Sequence, residues 1–140
     1  MNITVRLAQS ADFGRITSAY ATWGYGGGIK PEDTAWLALI EDELIGVVRI
    51  APENGTLVLR GMRIAEGQRR RGLGSRMLGD IAKWLEHREC YCIPYVHLVK
   101  FYGQVGFLEI APAAAPTFLV DRATGYRKRG LDVAIMCRRP

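Results

Sequence analysis

The sequence predicts one α+β domain built around a mixed sheet, and three observations support this class. Its 140 residues, 49% hydrophobic and 24% charged, are typical of a single domain with a real core. The first half of the chain is rich in segments with the two-residue period of β-strands. A long segment with helical periodicity then lies between two strand-like segments, which predicts a right-handed crossover.

The strand-like segments of the first half are separated by turns. Ile3, Val5 and Leu7 alternate with polar residues, which predicts the first strand. We expect a helix to follow, with Ser10 as its N-cap. Four glycines in residues 23–28 predict a mobile loop. Further strands are expected at residues 36–40, 44–50 and 57–64.

The second half contains the clearest helix, predicted over residues 71–86. Its apolar side chains recur with a period of 3.6 and share one face; they are Met77, Leu78, Ile81, Ala82 and Leu85. We then expect a strand at residues 90–93, a short helix at 96–104, a strand at 107–110, a loop at 111–116 and a last strand at 131–137.

Charge and targeting signals narrow the class of partner. Nineteen Lys and Arg against 14 Asp and Glu give a net charge of +5, so the partner is expected to be anionic. A nucleic acid, a phospholipid surface and a phosphorylated cofactor all meet that condition. The N-terminal residues do not resemble a signal peptide and no apolar run could span a bilayer, so we expect a cytoplasmic protein with no membrane partner.

The cysteines are expected to be buried thiols. Cys90, Cys92 and Cys137 are an odd number, which favours a reducing compartment over a disulfide framework. Cys90 and Cys92 would face the same side of a strand. A zinc site would need a second Cys or His pair, and His87 and His97 do not provide one, so no metal is expected.

Residues 68–75, Gln-Arg-Arg-Arg-Gly-Leu-Gly-Ser, connect the fourth expected strand to the long helix. The start of a helix carries unpaired backbone N–H groups and the positive end of the dipole, which together bind phosphate. Gly72 and Gly74 let the backbone approach a pyrophosphate closely. The segment is neither a P-loop nor a dinucleotide fingerprint, which would need a glycine where Met77 stands. On this pattern alone, a solvated basic turn is the alternative.

Two segments resemble the GNAT family of acetyl-CoA-dependent N-acetyltransferases. Residues 62–74 are similar to its motif A, Gln/Arg-x-x-Gly-x-Gly/Ala, with Arg69, Gly72 and Gly74 at the fixed positions. Residues 101–107, Phe-Tyr-Gly-Gln-Val-Gly-Phe, resemble its second hallmark, a short helix with Phe or Leu before Tyr that ends in Gly-Phe. The two hallmarks occur in the family's order, and the expected elements match over nearly the whole chain.

The resemblance implies a mostly antiparallel mixed sheet flanked by helices, whose parallel fourth and fifth strands splay apart to admit acetyl-CoA as cosubstrate. Backbone groups of Met62, Arg63 and Ile64 would pair with its pantetheine arm. Two residues depart from the common pattern: Glu66 stands where the family often has Pro, and Tyr95 where many relatives have Asn. The pyrophosphate would be bound by Arg69, Arg70, Arg71, Gly72, Leu73, Gly74 and Ser75.

The implied reaction transfers the acetyl group to a primary amine of a small molecule or protein by direct attack on the thioester. Tyr102 has the family position of the general acid that protonates the thiolate, and the alternative is that it only packs the short helix. A backbone N–H near Met62 or Ile64 would polarise the carbonyl. Residues 57–64 hold no carboxylate, so four candidates for the general base stay open: His97, Glu41, Glu43 and water.

The resemblance places the acceptor between residues 23–30 and 111–129. The basic run at residues 126–130 would favour an acceptor with a carboxylate or phosphate. The alternative function is a catalytically weak acetyl-CoA-binding sensor or regulatory module. A nucleic-acid partner is disfavoured because the arginines cluster in a turn and a late loop rather than along one element. A homodimer through a sheet edge is a further expectation.

Overall fold

The computed structural model describes residues 2–69 and 72–140, so Arg70 and Arg71 of the expected phosphate site lie outside the described residues. The chain divides into two units, Met1–Ile81 and Ala82–Pro140. Seven strands and four α-helices are found in the described part. None of the helices in that part is both long and apolar enough to cross a bilayer.

The first unit holds four strands, each antiparallel to the next, and a helix that packs on them. The long helix α2 begins in this unit and ends in the second. The elements are β1 (Ile3–Leu7), α1 (Phe13–Thr22), β2 (Thr34–Ile40), β3 (Glu43–Glu53), β4 (Thr56–Ile64) and α2 (Leu73–Leu85).

Helix α1 covers one face of the first unit's strands. Ile16 and Tyr20, four residues apart, are both buried and pack with Leu37, Leu39 and Val47. The other face of β2 is buried as well, because every residue from 35 to 39 is inaccessible to solvent. This explains why β2 reads as a continuous apolar run, which is typical of a strand covered on both faces.

Strand β4 contains a bulge opposite Val48. Val47 of β3 pairs with Arg63 and Arg49 pairs with Arg60, so Gly61 and Met62 together occupy the length of one partner residue. Gly61 has a φ of +67°, in the left-handed region that glycine adopts without a steric penalty. The bulge therefore depends on a glycine, which the sequence places in the middle of a strand.

The second unit contains a small antiparallel arrangement in which one strand pairs with two others. Its last strand, β7, pairs with β5 on one side and β6 on the other. The three cysteines are buried thiols, as predicted, and burial raises the pKa of Cys92 so that its thiol stays protonated. The elements are β5 (Cys90–Cys92), α3 (Val99–Gly103), β6 (Leu108–Glu109), α4 (Thr117–Lys128) and β7 (Met136–Arg138).

Two expectations for this unit are wrong. The connection before the last strand is not a loop with a basic run, because α4 occupies Thr117–Lys128 and buries Leu119 and Ala123. The basic residues lie in its last turn, where cations stabilise the dipole. The last strand is also shorter than expected, since Val133 makes an isolated bridge to Tyr95 and only Met136–Arg138 joins the ladder.

Ser10 is not the N-cap of α1, because it begins a 3-10 turn that ends at Asp12. The Asp12 carboxylate fixes this turn: it accepts hydrogen bonds from the backbone of Gln9 at 2.8 Å and from both terminal nitrogens of Arg6 at 2.9 and 3.0 Å. Chiefly through the Arg6 hydrogen bonds, the pKa of Asp12 falls from 3.8 to about 2.

Replacing Asp12 with asparagine is expected to lower the free energy of unfolding by about 1 to 2 kcal/mol at neutral pH. Because the folded-state pKa is lowered, this contribution is complete above about pH 4 and is lost as the pH falls towards 2. Urea unfolding at about pH 7 and about pH 3 should show the difference between Asp12→Asn and the wild type shrinking with acidity. Asp42→Asn, which removes a fully exposed carboxylate, is the control and should leave stability unchanged at both pH values.

Candidate functional site

The connection from β4 to α2 presents backbone N–H groups at a helix N-terminus. Arg76 donates its backbone hydrogen bond to Gly72 at 3.0 Å, which makes Gly72 the residue before the first turn. The amides of the next three residues, Leu73, Gly74 and Ser75, therefore precede the first intrahelical bond. Gly72 has a φ of +73°, and a Cβ at this position would meet no atom within 4 Å. The predicted anion-binding backbone thus borders open space.

Side chains near this helix start add charge and one unsatisfied polar atom. Arg69 is exposed, and its Nε reaches the carbonyl of Ile64 at 3.4 Å. Gln68 ends the 3-10 turn Glu66–Gln68, and its Oε1 is buried and has no hydrogen-bond partner among residues 2–69 and 72–140. A buried amide oxygen without a partner is destabilising, so it is a group that a bound molecule or water can satisfy.

The predicted pantetheine-binding residues lie at the bulge and directly after it. Arg63 and Ile64 pair with Val47 and Gly46 of β3, whereas Met62 belongs to the bulge. The Tyr20 hydroxyl donates a hydrogen bond to the carbonyl of Gly61 at 2.8 Å. Burial raises the pKa of Tyr20 well above its ordinary value, so the phenol keeps the proton that this bond uses. Helix α1 thereby fixes the point at which β4 departs from regular pairing.

A buried ion pair in the first unit was not predicted from the sequence. Arg49 Nη1 lies 3.1 Å from Asp33 Oδ2, and their side chains are 3% and 1% exposed. The same oxygen accepts the backbone N–H of Lys30 at 2.9 Å, while Arg49 Nη2 donates to the Tyr25 hydroxyl at 3.0 Å. A lone arginine in the apolar run of residues 47–51 was the available signal, because a charge in a buried strand requires a partner.

Tyr25 connects the glycine-rich loop to the sheet. Its ring meets the edge of Tyr20 at 4.5 Å between centroids, and the Arg63 guanidinium lies 4.7 Å from the centroid of the Tyr25 ring. Gly27 folds back onto the Tyr25 hydroxyl so closely that no Cβ would fit. The glycine-rich loop that the sequence predicts to be mobile is therefore anchored at Tyr25.

The two predicted catalytic side chains are found in the second unit. Tyr102 is 6% exposed on α3, and its ring makes edge contacts with Phe101 and Phe107 at 5.0 and 6.2 Å. His97 is exposed in the 3-10 turn Val96–Leu98 and stacks on Tyr95 with 5.7 Å between centroids. His97 also lines a shallow cavity of about 340 Å³, together with Tyr95, Val96, Gly130, Leu131 and Asp132.

The two glutamates considered as bases lie at the tip of the β2–β3 hairpin. Glu41 is in the turn and Glu43 begins β3, and both are exposed. Because Gly46 pairs with Ile64, the hairpin tip is at the end of β4 that leads to the α2 N-terminus. Both glutamates are therefore on the far side of Ile64 from the bulge.

Comparison with known proteins identifies the family. Residues 7–107 match the model of the Acetyltransferase (GNAT) family, which is well over half of the chain. The chain therefore belongs to the GNAT family of acetyltransferases, as its two hallmark segments predict. No curated protein matches the sequence significantly.

Solved structures of this class share the fold over nearly the whole chain. A GNAT acetyltransferase from Streptococcus pneumoniae has a TM-score of 0.71 at 16% identity, with 98% of each chain covered. A GNAT acetyltransferase from Elizabethkingia anophelis with acetyl-CoA bound has a TM-score of 0.64 at 14% identity, with 99% of each covered. The predicted α+β fold with a mixed sheet is thus confirmed.

A third similar structure is longer than this chain. The N-acetylglutamate synthase of Neisseria gonorrhoeae, solved with coenzyme A and N-acetyl-glutamate, has a TM-score of 0.68 at 16% identity. The match covers 99% of this chain and 35% of the synthase, so this chain spans about a third of that enzyme.

The bulge gives a stability prediction with a matched control. Gly61→Ala combines left-handed strain with a Cβ only 2.6 Å from the Tyr20 hydroxyl, and we expect it to cost about 2 to 4 kcal/mol. Gly55→Ala has a similar φ of +75° but open space around the Cβ, so strain alone should cost about 1 kcal/mol. Urea unfolding of both variants measures the difference, and equal costs would show that the contact with Tyr20 is unimportant.

Proposed function

We propose that this chain binds acetyl-CoA and transfers its acetyl group to a primary amine of a small molecule or protein. The observation that carries this proposal is the start of α2, where a left-handed Gly72 next to open space is followed by three backbone amides that precede the first intrahelical hydrogen bond. A diphosphate is the ligand that such a helix start accepts best. The acetyl-CoA bound by the Elizabethkingia anophelis relative supports the same ligand.

The residues of the first unit fit this ligand in two places. Met62 lies in the bulge and Arg63 and Ile64 follow it, and we propose that backbone groups of these three residues pair with the amides of the pantetheine arm. The amides of Leu73, Gly74 and Ser75 and the exposed Arg69 would bind the pyrophosphate. By their place in the sequence, Arg70 and Arg71 would add charge at the same position.

Acetyl-CoA supplies an activated acyl group as a thioester. In the proposed reaction the amine nitrogen forms a bond to the acetyl carbon while the carbon–sulfur bond breaks. A backbone N–H of β4 near Met62 would stabilise charge on the carbonyl oxygen. Tyr102 would give its hydroxyl proton to the thiolate, and its burial keeps water from competing for that proton.

Removal of the amine proton falls to His97 or to water in this proposal. His97 is exposed and lines the cavity of the second unit, and an imidazole is the side chain that most often serves as a general base. The position of Glu41 and Glu43 at the hairpin tip makes them poorer candidates, because the acyl group would bind near the bulge rather than beyond Ile64.

The second candidate function is a sensor that binds acetyl-CoA with little turnover. The absence of any carboxylate from β4, Thr56–Ile64, favours it, because a neighbouring base would raise the rate of amine attack. Thiol release from acetyl-CoA across a panel of amines separates the two functions. Calorimetric binding of coenzyme A without amine-dependent thiol release would support the sensor.

Substitution of Gly74 tests the diphosphate site, and a second glycine of the same helix provides a control. Gly74→Leu should raise helix propensity by up to about 1 kcal/mol, yet its side chain would cover the amides and weaken coenzyme A binding at least about tenfold. Gly79→Leu on the same helix is the control, because a Cβ there meets no atom within 4 Å and the site is not involved. Calorimetry with coenzyme A that finds equal affinities for both variants and the wild type would refute the site.

Tyr102→Phe should leave coenzyme A affinity unchanged and lower kcat about a hundredfold, because the thiolate would depart without a positioned proton donor. Tyr91→Phe is the matched control: Tyr91 is also a buried tyrosine of the second unit, and its hydroxyl interacts with Arg139. Its kcat should stay at the wild-type value. Comparable kcat values for Tyr102→Phe and Tyr91→Phe would remove Tyr102 from the mechanism.

A further inference from the structure

Arg63 is a half-buried cation that no carboxylate neutralises. Its guanidinium lies over the Tyr25 ring, and Nη1 donates to the carbonyl of Met62 at 3.0 Å. Within residues 2–69 and 72–140, no Asp or Glu pairs with it. The other two arginines of β3 and β4 differ in this respect, because Arg49 pairs with Asp33 at 3.1 Å and Arg60 with Glu53 at 3.4 Å.

The Tyr25 hydroxyl provides a second donor at the same place. It accepts a hydrogen bond from the charged Arg49, which leaves its own hydrogen to donate. Among the described residues, no hydrogen bond donated by this hydroxyl is found. Tyr25 and Arg63 therefore place two kinds of donor around one aromatic ring, and partly buried donors of this kind require an acceptor.

The cluster formed by Tyr25, Arg63 and the Arg49–Asp33 pair has a charge that one negative charge would balance. Arg49 and Asp33 form a buried neutral pair, so Arg63 leaves the group with a single uncompensated positive charge. A guanidinium binds a carboxylate with two parallel N–H donors, and a tyrosine hydroxyl can add a third. A carboxylate balances the charge, whereas a phosphate dianion would exceed it.

We infer that Arg63 and Tyr25 bind a carboxylate of the acetyl acceptor, so that the substrates are amines that also carry a carboxylate. This inference rests on the proposed function, and on the expectation from the family resemblance that the acceptor lies beside residues 23–30, the loop that Tyr25 anchors. The cofactor phosphates are assigned to a different place, beyond Ile64 at the start of α2. Polyamines and other polycations are disfavoured as acceptors because Arg63 repels them.

The test compares amino acids with their own carboxamides as acceptors. The probes are glycine, β-alanine, 4-aminobutyrate, L-phenylalanine and L-glutamate, each paired with the corresponding carboxamide. Thiol release from acetyl-CoA gives kcat/KM for each member, and the carboxylate-to-amide ratio is measured in the wild type and in Arg63→Gln. An amino acid and its carboxamide differ in amine basicity, but this difference is the same for both proteins. The change in the ratio between the wild type and Arg63→Gln therefore does not depend on it. We expect Arg63→Gln to lower the ratio about tenfold to a hundredfold, mainly through KM.

Two variants serve as controls. Arg60→Gln removes a positive charge from the same strand, but one already paired with Glu53, and should change the ratio by no more than about twofold. Arg63→Lys keeps the positive charge but lacks the planar guanidinium, so its carboxylate-to-amide ratio should lie between those of Arg63→Gln and the wild type. Arg63 enters the proposed cofactor site only through its backbone, so Arg63→Gln should weaken coenzyme A binding, measured by calorimetry, far less than it lowers the ratio.

A binding measurement keeps the inference testable if turnover is absent. The N-acetyl derivatives of the same amino acids and of their carboxamides are titrated calorimetrically into protein loaded with coenzyme A. Carboxylate-dependent binding that Arg63→Gln abolishes would support the inference even where no amine is acetylated, which would count against the proposed function alone.

Four results would overturn the inference while leaving acetyl transfer intact. The carboxamides could react and bind as well as the acids, or Arg63→Gln could change the ratio no more than Arg60→Gln does. Arg63→Gln could instead lose coenzyme A affinity and keep the acceptor preference, which would assign the arginine to the cofactor. Finally, no N-acetyl amino acid could bind at millimolar concentration.

Discussion

The bulge in β4 is the constraint on which the candidate site depends. One extra residue at Gly61 interrupts the pairing with β3, and the Tyr20 hydroxyl holds that interruption from α1. Without it, strict alternation would reverse the faces of Met62, Arg63 and Ile64, because a shift of one residue moves every side chain to the other side of a sheet. The hydrogen bond from the buried Tyr20 hydroxyl thus holds the bulge, and the bulge determines on which face of β4 the side chains after it lie.

Much of the secondary structure of the first unit was predictable because it follows from short-range patterns in the sequence. Two-residue and 3.6-residue periods locate the strands and α2, whose boundaries differ from the expected ones by a few residues at most. Helix α4 was missed because its sequence, Thr117–Lys128, has only two buried residues and no marked apolar face. Its Ala123 packs with Val133 and Ile135, which lie beyond the end of the helix, so no pattern within the helix predicts this contact.

The candidate site was predictable where backbone conformation determines it and not where partners come from distant parts of the sequence. The sequence pattern identifies Gly72 as a residue of the phosphate site. Its left-handed φ explains why a residue other than glycine would be strained there. The pairing of Arg49 with Asp33 joins a strand to a loop 16 residues earlier, and the sequence shows only that Arg49 is out of place in an apolar run. The stacking of Arg63 on Tyr25 is equally non-local.

The Arg49–Asp33 pair also limits how this sequence can diverge. A single change at either position strands a charge in the interior, which costs about 3 to 5 kcal/mol, whereas joint replacement by apolar residues of similar volume is close to neutral. Evolution can therefore replace the ion pair with an apolar pair only by changing both positions nearly together. Among descendants of this chain, residues 33 and 49 should be inherited as a unit, and the loop anchored at Tyr25 should diverge with them.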